Sequence, residues 1–64
     1  MLKMFSACNG LSVAINPSLV AMVSDYSDKN IPMYNYTRIT FADSTIIDVN
    51  ESYLNVVARL NERD

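Results

Sequence analysis

The residues of this chain that could perform chemistry are few, and most of them are carboxylates. The 64 residues include no His, one Cys and one Gly. Most catalytic and transition-metal sites need clustered His, Cys and carboxylates, and phosphate-binding loops need several glycines. A carboxylate site is therefore the one such site that this sequence can build. We expect a binding or regulatory module with no cofactor, and not an enzyme.

One thiol and one group of polar residues are candidate sites, and both are better explained structurally. Cys8 precedes an Asn-Gly pair and has no base or cation beside it in the sequence, which favours an incidental thiol over a nucleophile. A second group offers oxygen ligands for a hard cation, but it lacks the central Gly of an EF-hand and has Tyr36 where that loop carries Glu. We interpret this group as part of a solvated loop; its members are Asp25, Ser27, Asp28 and Asn30.

Three further carboxylates follow in the second half of the chain. Asp43, Asp48 and Glu51 could lie near one another in a folded structure. Paired carboxylates perform acid–base chemistry only inside a cleft that raises one pKa, and a small sheet offers little cleft. We therefore expect turn and helix-capping roles for these three side chains.

The strongest functional lead is a group of Tyr, Met and Ile residues in and around the polar segment 25–35. Tyr and Met are favoured at protein interfaces, so the group is a candidate partner-binding surface. The alternative is that it folds back as a small satellite core under the loop, and both interpretations remain open at this point. The candidate residues are Tyr26, Ile31, Met33, Tyr34 and Tyr36.

The amino-acid composition limits the classes of partner that the chain is expected to bind. The formal net charge is −2, which gives no attraction to phosphate and makes nucleic acid an unfavoured partner. A small nucleic-acid-binding regulatory domain is the alternative, and it would need a basic face built from Lys3, Lys29 and Arg38. No apolar run is long enough for a membrane helix, so membrane insertion is not expected. A lone thiol without an export signal predicts a cytoplasmic protein.

The chain should form one small domain spanning residues 1–64. A domain of this size is marginal alone, and a single Cys cannot form an internal disulfide. The hydrophobic fraction is 50%, so part of the apolar surface is expected to face a partner. We therefore predict a homo-oligomer.

The first predicted element is a β-hairpin around Asn9-Gly10, the strongest short-range hairpin signal. A two-residue loop pairs Cys8 with Leu11, and it places Met4 opposite Ile15. After a turn at Asn16-Pro17-Ser18, the apolar run 19–24 predicts a central strand with a bulge.

A second hairpin is predicted from residues 36–41 and 45–49. Phe41, Ile39 and Thr37 share one face, and only an odd loop length brings Ile47 and Val49 onto it. The predicted loop is residues 42–44, with Ser44 in the left-handed conformation that usually takes Gly. Strand 2–8 or strand 36–41 is a candidate open edge that could pair with a second copy or with a partner strand, and the alternative is an edge closed by barrel curvature.

Residues 51–62 predict an amphipathic helix that must dock on the sheet, because so short a helix is unstable alone. Asn50 or Asp48 is the expected N-cap. The apolar stripe is Tyr53, Val56, Val57 and Leu60, and the solvent-facing set is Glu51, Asn55, Arg59 and Glu62. The predicted fold class is α+β and mainly β: an antiparallel curled sheet or partly open small barrel of about five strands with one C-terminal helix.

The order of these motifs resembles the small FlbD/SwrD family of flagellar-operon proteins. The shared features are an Asn-Gly hairpin, Asn16-x-x-Leu19-Val20, a Thr37-x-Ile39 hairpin strand, then Val49-x-Glu51-Ser52 and a Val56-Val57 helix. The resemblance covers roughly residues 8–60; segment 25–36 is longer than the family's turn, and Ser44 replaces its Gly. It implies a non-enzymatic protein-binding role in support of the flagellar motor. A second form of this protein-binding role is that of a phage-encoded modulator of a host protein.

Overall fold

The computed structural model describes residues 1–27 and 35–62, and its architecture is mainly β. Five antiparallel strands are followed by one helix, with a short 3-10 turn at Pro17–Leu19. This confirms the predicted α+β, mainly β fold class. The elements are β1 (Lys3–Ser6), β2 (Ser12–Ile15), β3 (Val20–Ser27), β4 (Asn35–Phe41), β5 (Ile46–Val49) and α1 (Tyr53–Leu60).

The strands form a two-stranded sheet, β1-β2, and a three-stranded sheet, β3-β4-β5. An antiparallel bridge between Ala7 and Val49 joins the end of β1 to β5. The described strands therefore follow the order β2-β1-β5-β4-β3 across a curled surface that does not close into a barrel. The outer strands of this order are β2 and β3. The prediction of an edge at strand 36–41 was wrong, because β4 lies between β3 and β5, whereas strand 2–8 meets β5 only at its end, through the Ala7–Val49 bridge.

The first hairpin has a three-residue loop, Cys8-Asn9-Gly10, and not the two-residue loop predicted. The Ala7 N–H donates to the Leu11 carbonyl at 2.8 Å, and Gly10 has a φ of 87°. The register consequently shifts by one residue, so that Phe5 lies opposite Val13 and Met4 opposite Ala14. The shift places Phe5 and Ala7 on the same face as Val13 and Ile15, which gathers the apolar side chains on the core side.

The second hairpin matches its prediction. Ile39 pairs with Ile47 and Thr37 with Val49. The Ser44 N–H donates to the Phe41 carbonyl at 2.9 Å, and Ser44 has a φ of 74°, in the left-handed region. The predicted bulge in the central strand is also present, between Val20 and Met22.

The core lies between the curled sheet and α1. Ile39, Val49, Val56 and Thr37 are completely buried, and Phe5 and Ile15 are almost so. Thr37 is the one polar side chain in this set, and it has a hydrogen-bond partner: its hydroxyl donates to the Glu51 carbonyl at 2.8 Å. The core therefore combines side chains from both sheets and the helix, and it holds the two hairpins in one unit.

The helix begins at Tyr53, two residues later than predicted, and ends at Leu60. Its N-cap is Ser52, whose Oγ accepts from the Asn55 N–H at 3.3 Å. Asp48 and Asn50 do not cap the helix, because both belong to the β5–β1 junction: the Asp48 carbonyl accepts from Cys8 N–H, and the Asn50 N–H donates to Ser6. No helix among the described residues is long and apolar enough to cross a membrane.

Candidate protein-interaction surface

The outer face of the β3-β4-β5 sheet carries the side chains that alternate with the core residues. Because Thr37 and Ile39 point into the core, Tyr36 and Arg38 point outward. Across the ladder, Tyr36 lies opposite Tyr26 on β3, and Arg38 lies opposite Asp48 on β5. The outer face therefore brings residues from three strands together.

These four residues form one contact network, which we call the tyrosine–arginine cluster: Tyr26, Tyr36, Arg38 and Asp48. The two Tyr rings are stacked, with centroids 5.5 Å apart and planes 10° apart. The Arg38 guanidinium lies 4.5 Å from the Tyr26 ring centroid, a cation–π contact. Arg38 also donates to both carboxylate oxygens of Asp48, at 2.8 and 3.2 Å. Hydrogen bonding to Asp48 raises the pKa of Arg38, so its charge is permanent.

The cluster is ordered by its own contacts and still accessible. The exposed fraction is 43% for Tyr26. The side chains of Arg38 and Asp48 are 31% and 32% exposed. The outer face continues along the sheet to two exposed apolar side chains, Met22 and Ile46, which flank Thr40 across the strands. The result is a mixed aromatic, cationic and apolar surface.

The structure brings together two of the five predicted partner-binding residues, Tyr26 and Tyr36. Ile31, Met33 and Tyr34 lie outside the described residues. Residues 25–27 and 35, which were predicted as loop, belong to β3 and β4. Asp25 and Ser27, two of the four candidate calcium ligands, belong to β3, while Asp28 and Asn30 lie outside the described residues.

The sequence interpretation missed Arg38 and Asp48 as part of this surface. The signal was available, since the predicted pairings of Ile39 with Ile47 and Thr37 with Val49 place Arg38 directly opposite Asp48. Opposite charges at directly paired positions stabilise a sheet. Reading the outward-facing positions of the same hairpin would have found the pair.

The three later carboxylates are separated. Asp43 lies in the second hairpin loop, where its Oδ1 accepts from the N–H and the hydroxyl of Thr45 at 3.0 and 2.6 Å. These hydrogen bonds, the hydroxyl first, hold the pKa of Asp43 below its usual range. Asp48 is on the outer face, and Glu51 is on the core side. Within residues 1–27 and 35–62, no group of three or more His, Cys, Asp or Glu is placed to hold a metal ion.

Glu51 occupies the junction between the helix and both sheets, so its placement on the solvent-facing side of the helix was wrong. One carboxylate oxygen accepts from Asn55 Nδ2 at 2.8 Å and from Arg59 at 3.2 Å, and the other accepts from the Ser6 N–H at 3.2 Å. The Arg59 guanidinium stacks on Phe5, 4.5 Å from the ring centroid. This network fixes the helix against β1 and is structural.

Cys8 is a free, exposed thiol in the first hairpin loop. Partial burial, and then the nearby Asp48 carboxylate, raise the pKa of Cys8. A thiol with a raised pKa is mostly protonated at neutral pH and is a poor nucleophile. This geometry gives no support to a catalytic role for Cys8.

The basic face required by the nucleic-acid alternative is not assembled among the described residues. Lys3 shares the core-side face with Phe5 and Ala7, whereas Arg38 is on the outer face. Each is paired with a carboxylate, Lys3 with Glu62 at 3.6 Å and Arg38 with Asp48. Lys29 lies outside the described residues.

Comparison of the chain with protein-family models, with curated proteins and with solved structures found no significant match.

Proposed function

We propose that this chain is a non-enzymatic protein-binding or regulatory module that acts on a larger assembly and contacts it through the tyrosine–arginine cluster. The observation that carries the proposal is the stack of exposed Tyr26 on half-buried Tyr36, with Arg38 fixed over the Tyr26 ring. Tyr and Arg are the residue types that most often dominate binding energy at protein interfaces.

Preorganisation supports this role. Ordering a long side chain at an interface costs about 0.5–1.5 kcal/mol, and that cost weakens binding. Here Arg38 is already held by two hydrogen bonds to Asp48 and by the Tyr26 ring, so little freedom remains to be lost. Met22 and Ile46 extend the surface with apolar area that a partner could cover.

The biological setting follows from the family resemblance and remains part of the proposal. A FlbD/SwrD-like protein would bind a component of the flagellar motor, and a phage-encoded protein would bind a host protein. For both settings we propose a cytoplasmic location, which a free thiol in place of disulfides supports. We also propose that the chain is a homo-oligomer, because it carries exposed apolar side chains on a small core.

Photocrosslinking in cells tests the proposed surface. A benzophenone amino acid replaces Met22, beside the cluster, or Leu11, which is 65% exposed beside the first hairpin loop and serves as the matched control. We expect a specific crosslinked protein from position 22 and not from position 11. Mass spectrometry then identifies the partner.

The purified partner allows an affinity measurement. We expect Tyr26→Ala to weaken binding by roughly 1–4 kcal/mol, as for an interface hot spot. Leu11→Ala should leave affinity and folding unchanged. Equal crosslinking from positions 22 and 11, or unchanged affinity of a folded Tyr26→Ala variant, would contradict the proposed surface.

A further inference from the structure

A second surface, separate from the tyrosine–arginine cluster, is an apolar groove of about 450 Å³ at the opposite end of the β3-β4 pair. One wall comes from Leu2, just before β1, and from the end of β2, including Ile15. The other wall comes from Leu19, in the 3-10 turn before β3, and from the end of β4, including Phe41. Its volume lies within the range of about 300–1,000 Å³ that is usual for ligand pockets.

An open strand edge accompanies this groove. The hydrogen bond from Ala7 to Leu11 makes that pair the first bonded pair of the β1-β2 ladder. Bonded and non-bonded pairs alternate in an antiparallel ladder, so Ser12 and Ala14 direct their N–H and C=O groups away from β1. Ala14 also lines the groove. A second extended chain could therefore hydrogen-bond to β2 while a side chain enters the groove.

The rim of the groove carries a negative charge. Asp43 lines it. The two hydrogen bonds from Thr45 both reach Oδ1 of Asp43, so Oδ2 is not used by them. An aspartate is ionised at neutral pH, and these hydrogen bonds lower the pKa of Asp43 further. An apolar groove with an ionised carboxylate at its rim is complementary to an apolar side chain accompanied by a cation.

We propose that this groove binds an extended segment of a partner protein that pairs with β2 and carries an apolar residue followed two positions later by Lys or Arg. Residues two positions apart lie on the same face of a strand, roughly 6.6 Å apart. The apolar side chain then enters the groove, and the basic side chain reaches Asp43. This is binding by strand addition, in which main-chain hydrogen bonds give affinity and alternate side chains give specificity.

A phage-displayed library of short random peptides, panned on the folded chain, tests the proposal. We expect enriched peptides to share an apolar residue followed two positions later by Lys or Arg. In NMR titrations, such a peptide should shift the amide signals of Ala14, Leu19 and Ala42. The signals of Tyr26 and Tyr36 should be unaffected, which separates this site from the tyrosine–arginine cluster.

Two variants probe the two parts of the mechanism. Asp43→Asn retains an oxygen that can accept from Thr45 and removes the charge. It should lower the affinity for the basic peptides about two- to five-fold, as for an exposed ion pair. The affinity for an analogue with Gln in place of the basic residue should not change. Ala14→Pro removes the outward N–H without removing a ladder bond, and it should abolish binding of both peptides.

Three results would overturn the inference. They are the absence of enrichment over a bare-support control, enriched peptides without the pattern, and shifts confined to residues outside the groove. Unchanged affinity in a folded Asp43→Asn variant would remove the proposed preference for a basic residue. Failure of the Tyr26→Ala test would leave this site unaffected, because the cluster and the groove share no residue.

Discussion

The two hairpin loops of this protein are the same turn with a different residue at the critical position. Ala7 N–H to Leu11 and Phe41 N–H to Thr45 are both 2.8 Å. In each loop the middle residue, Asn9 or Asp43, accepts from the N–H two positions later at 3.0 Å. The left-handed position is Gly10 in the first loop, with a φ of 87°, and Ser44 in the second, with a φ of 74°. We therefore predict that Ser44→Gly stabilises the fold.

The magnitude follows from two opposing contributions. A residue with a Cβ pays about 1–2 kcal/mol in the left-handed conformation, because the Cβ crowds the backbone. Gly regains that energy but has more freedom to lose on folding, which costs roughly 0.5–1 kcal/mol. We expect a net gain of about 0.5 kcal/mol for Ser44→Gly, equivalent to a rise in Tm of roughly 2–4 °C in a domain of this size.

The first loop supplies the reciprocal variant. A Cβ added at Gly10 would have no atom within 4 Å, so Gly10→Ser tests the backbone cost alone, without a steric clash. It should destabilise by about the amount that Ser44→Gly stabilises, roughly 0.5 kcal/mol. The double variant should return to the stability of the parent chain, because the loops belong to different hairpins.

Urea unfolding followed by circular dichroism measures these differences, and thermal scans check the sign. Ser44→Ala is the matched control, since it keeps a Cβ at the same φ and should resemble the parent. The reasoning would be refuted if Ser44→Gly were neutral or destabilising while Ser44→Ala was unchanged. It would also fail if Gly10→Ser cost nothing.

Three other predictions concern the contacts of single side chains, and a fourth concerns nucleic acid. Glu51→Ala should destabilise the fold by roughly 2–3 kcal/mol in urea unfolding, because Arg59 and the Ser6 N–H lose a charged partner. The Glu62 side chain is 58% exposed, so Glu62→Ala should change stability by less than about 0.5 kcal/mol. Equal effects of the two substitutions would contradict the structural role of Glu51. Alkylation of Cys8 by iodoacetamide at neutral pH should be slower than that of a free cysteine peptide, since its pKa is raised; a faster reaction would disprove the assignment. Because the folded-state pKa of Asp43 is lowered, its contribution to stability is present above the ordinary aspartate pKa of about 3.9 and is lost as the pH falls through the lower folded-state value. Asp43→Asn should remove that part of the acid-induced loss of stability. Identical pH profiles of stability for the variant and the parent would contradict this prediction. Fluorescence anisotropy should detect no tight binding of DNA or RNA at about 150 mM salt; submicromolar, salt-sensitive binding would reverse that conclusion.

The homo-oligomer expectation has its own measurement. Exposed apolar side chains on a small core predict self-association, which light scattering over a concentration series will show as a mass above that of one chain. A single-chain mass at the highest concentration would contradict it.

Local pattern was sufficient for the second hairpin. The loop length, the left-handed Ser44 and the pairing of Ile39 with Ile47 followed from the rule that a one-residue slip exchanges the two faces of a strand. In the first hairpin, the preference of Asn9-Gly10 for a two-residue turn predicts the wrong register. Burial of Phe5 and Ala7 with Ile15 outweighs that local turn preference.

The amino-acid sequence by itself determined that this protein is mainly β, with two hairpins and a terminal helix, because these depend on side-chain alternation and turn residues close together in the chain. The tertiary structure alone decided which strands are edges, since the order of strands depends on the Ala7–Val49 bridge between distant segments. It also decided the place of Glu51 and Arg59: helical periodicity puts them on the polar side, but docking brings that side against Phe5 and Ser6. Periodicity records which side chains share a face, whereas the position of a neighbouring element decides whether water or protein covers that face.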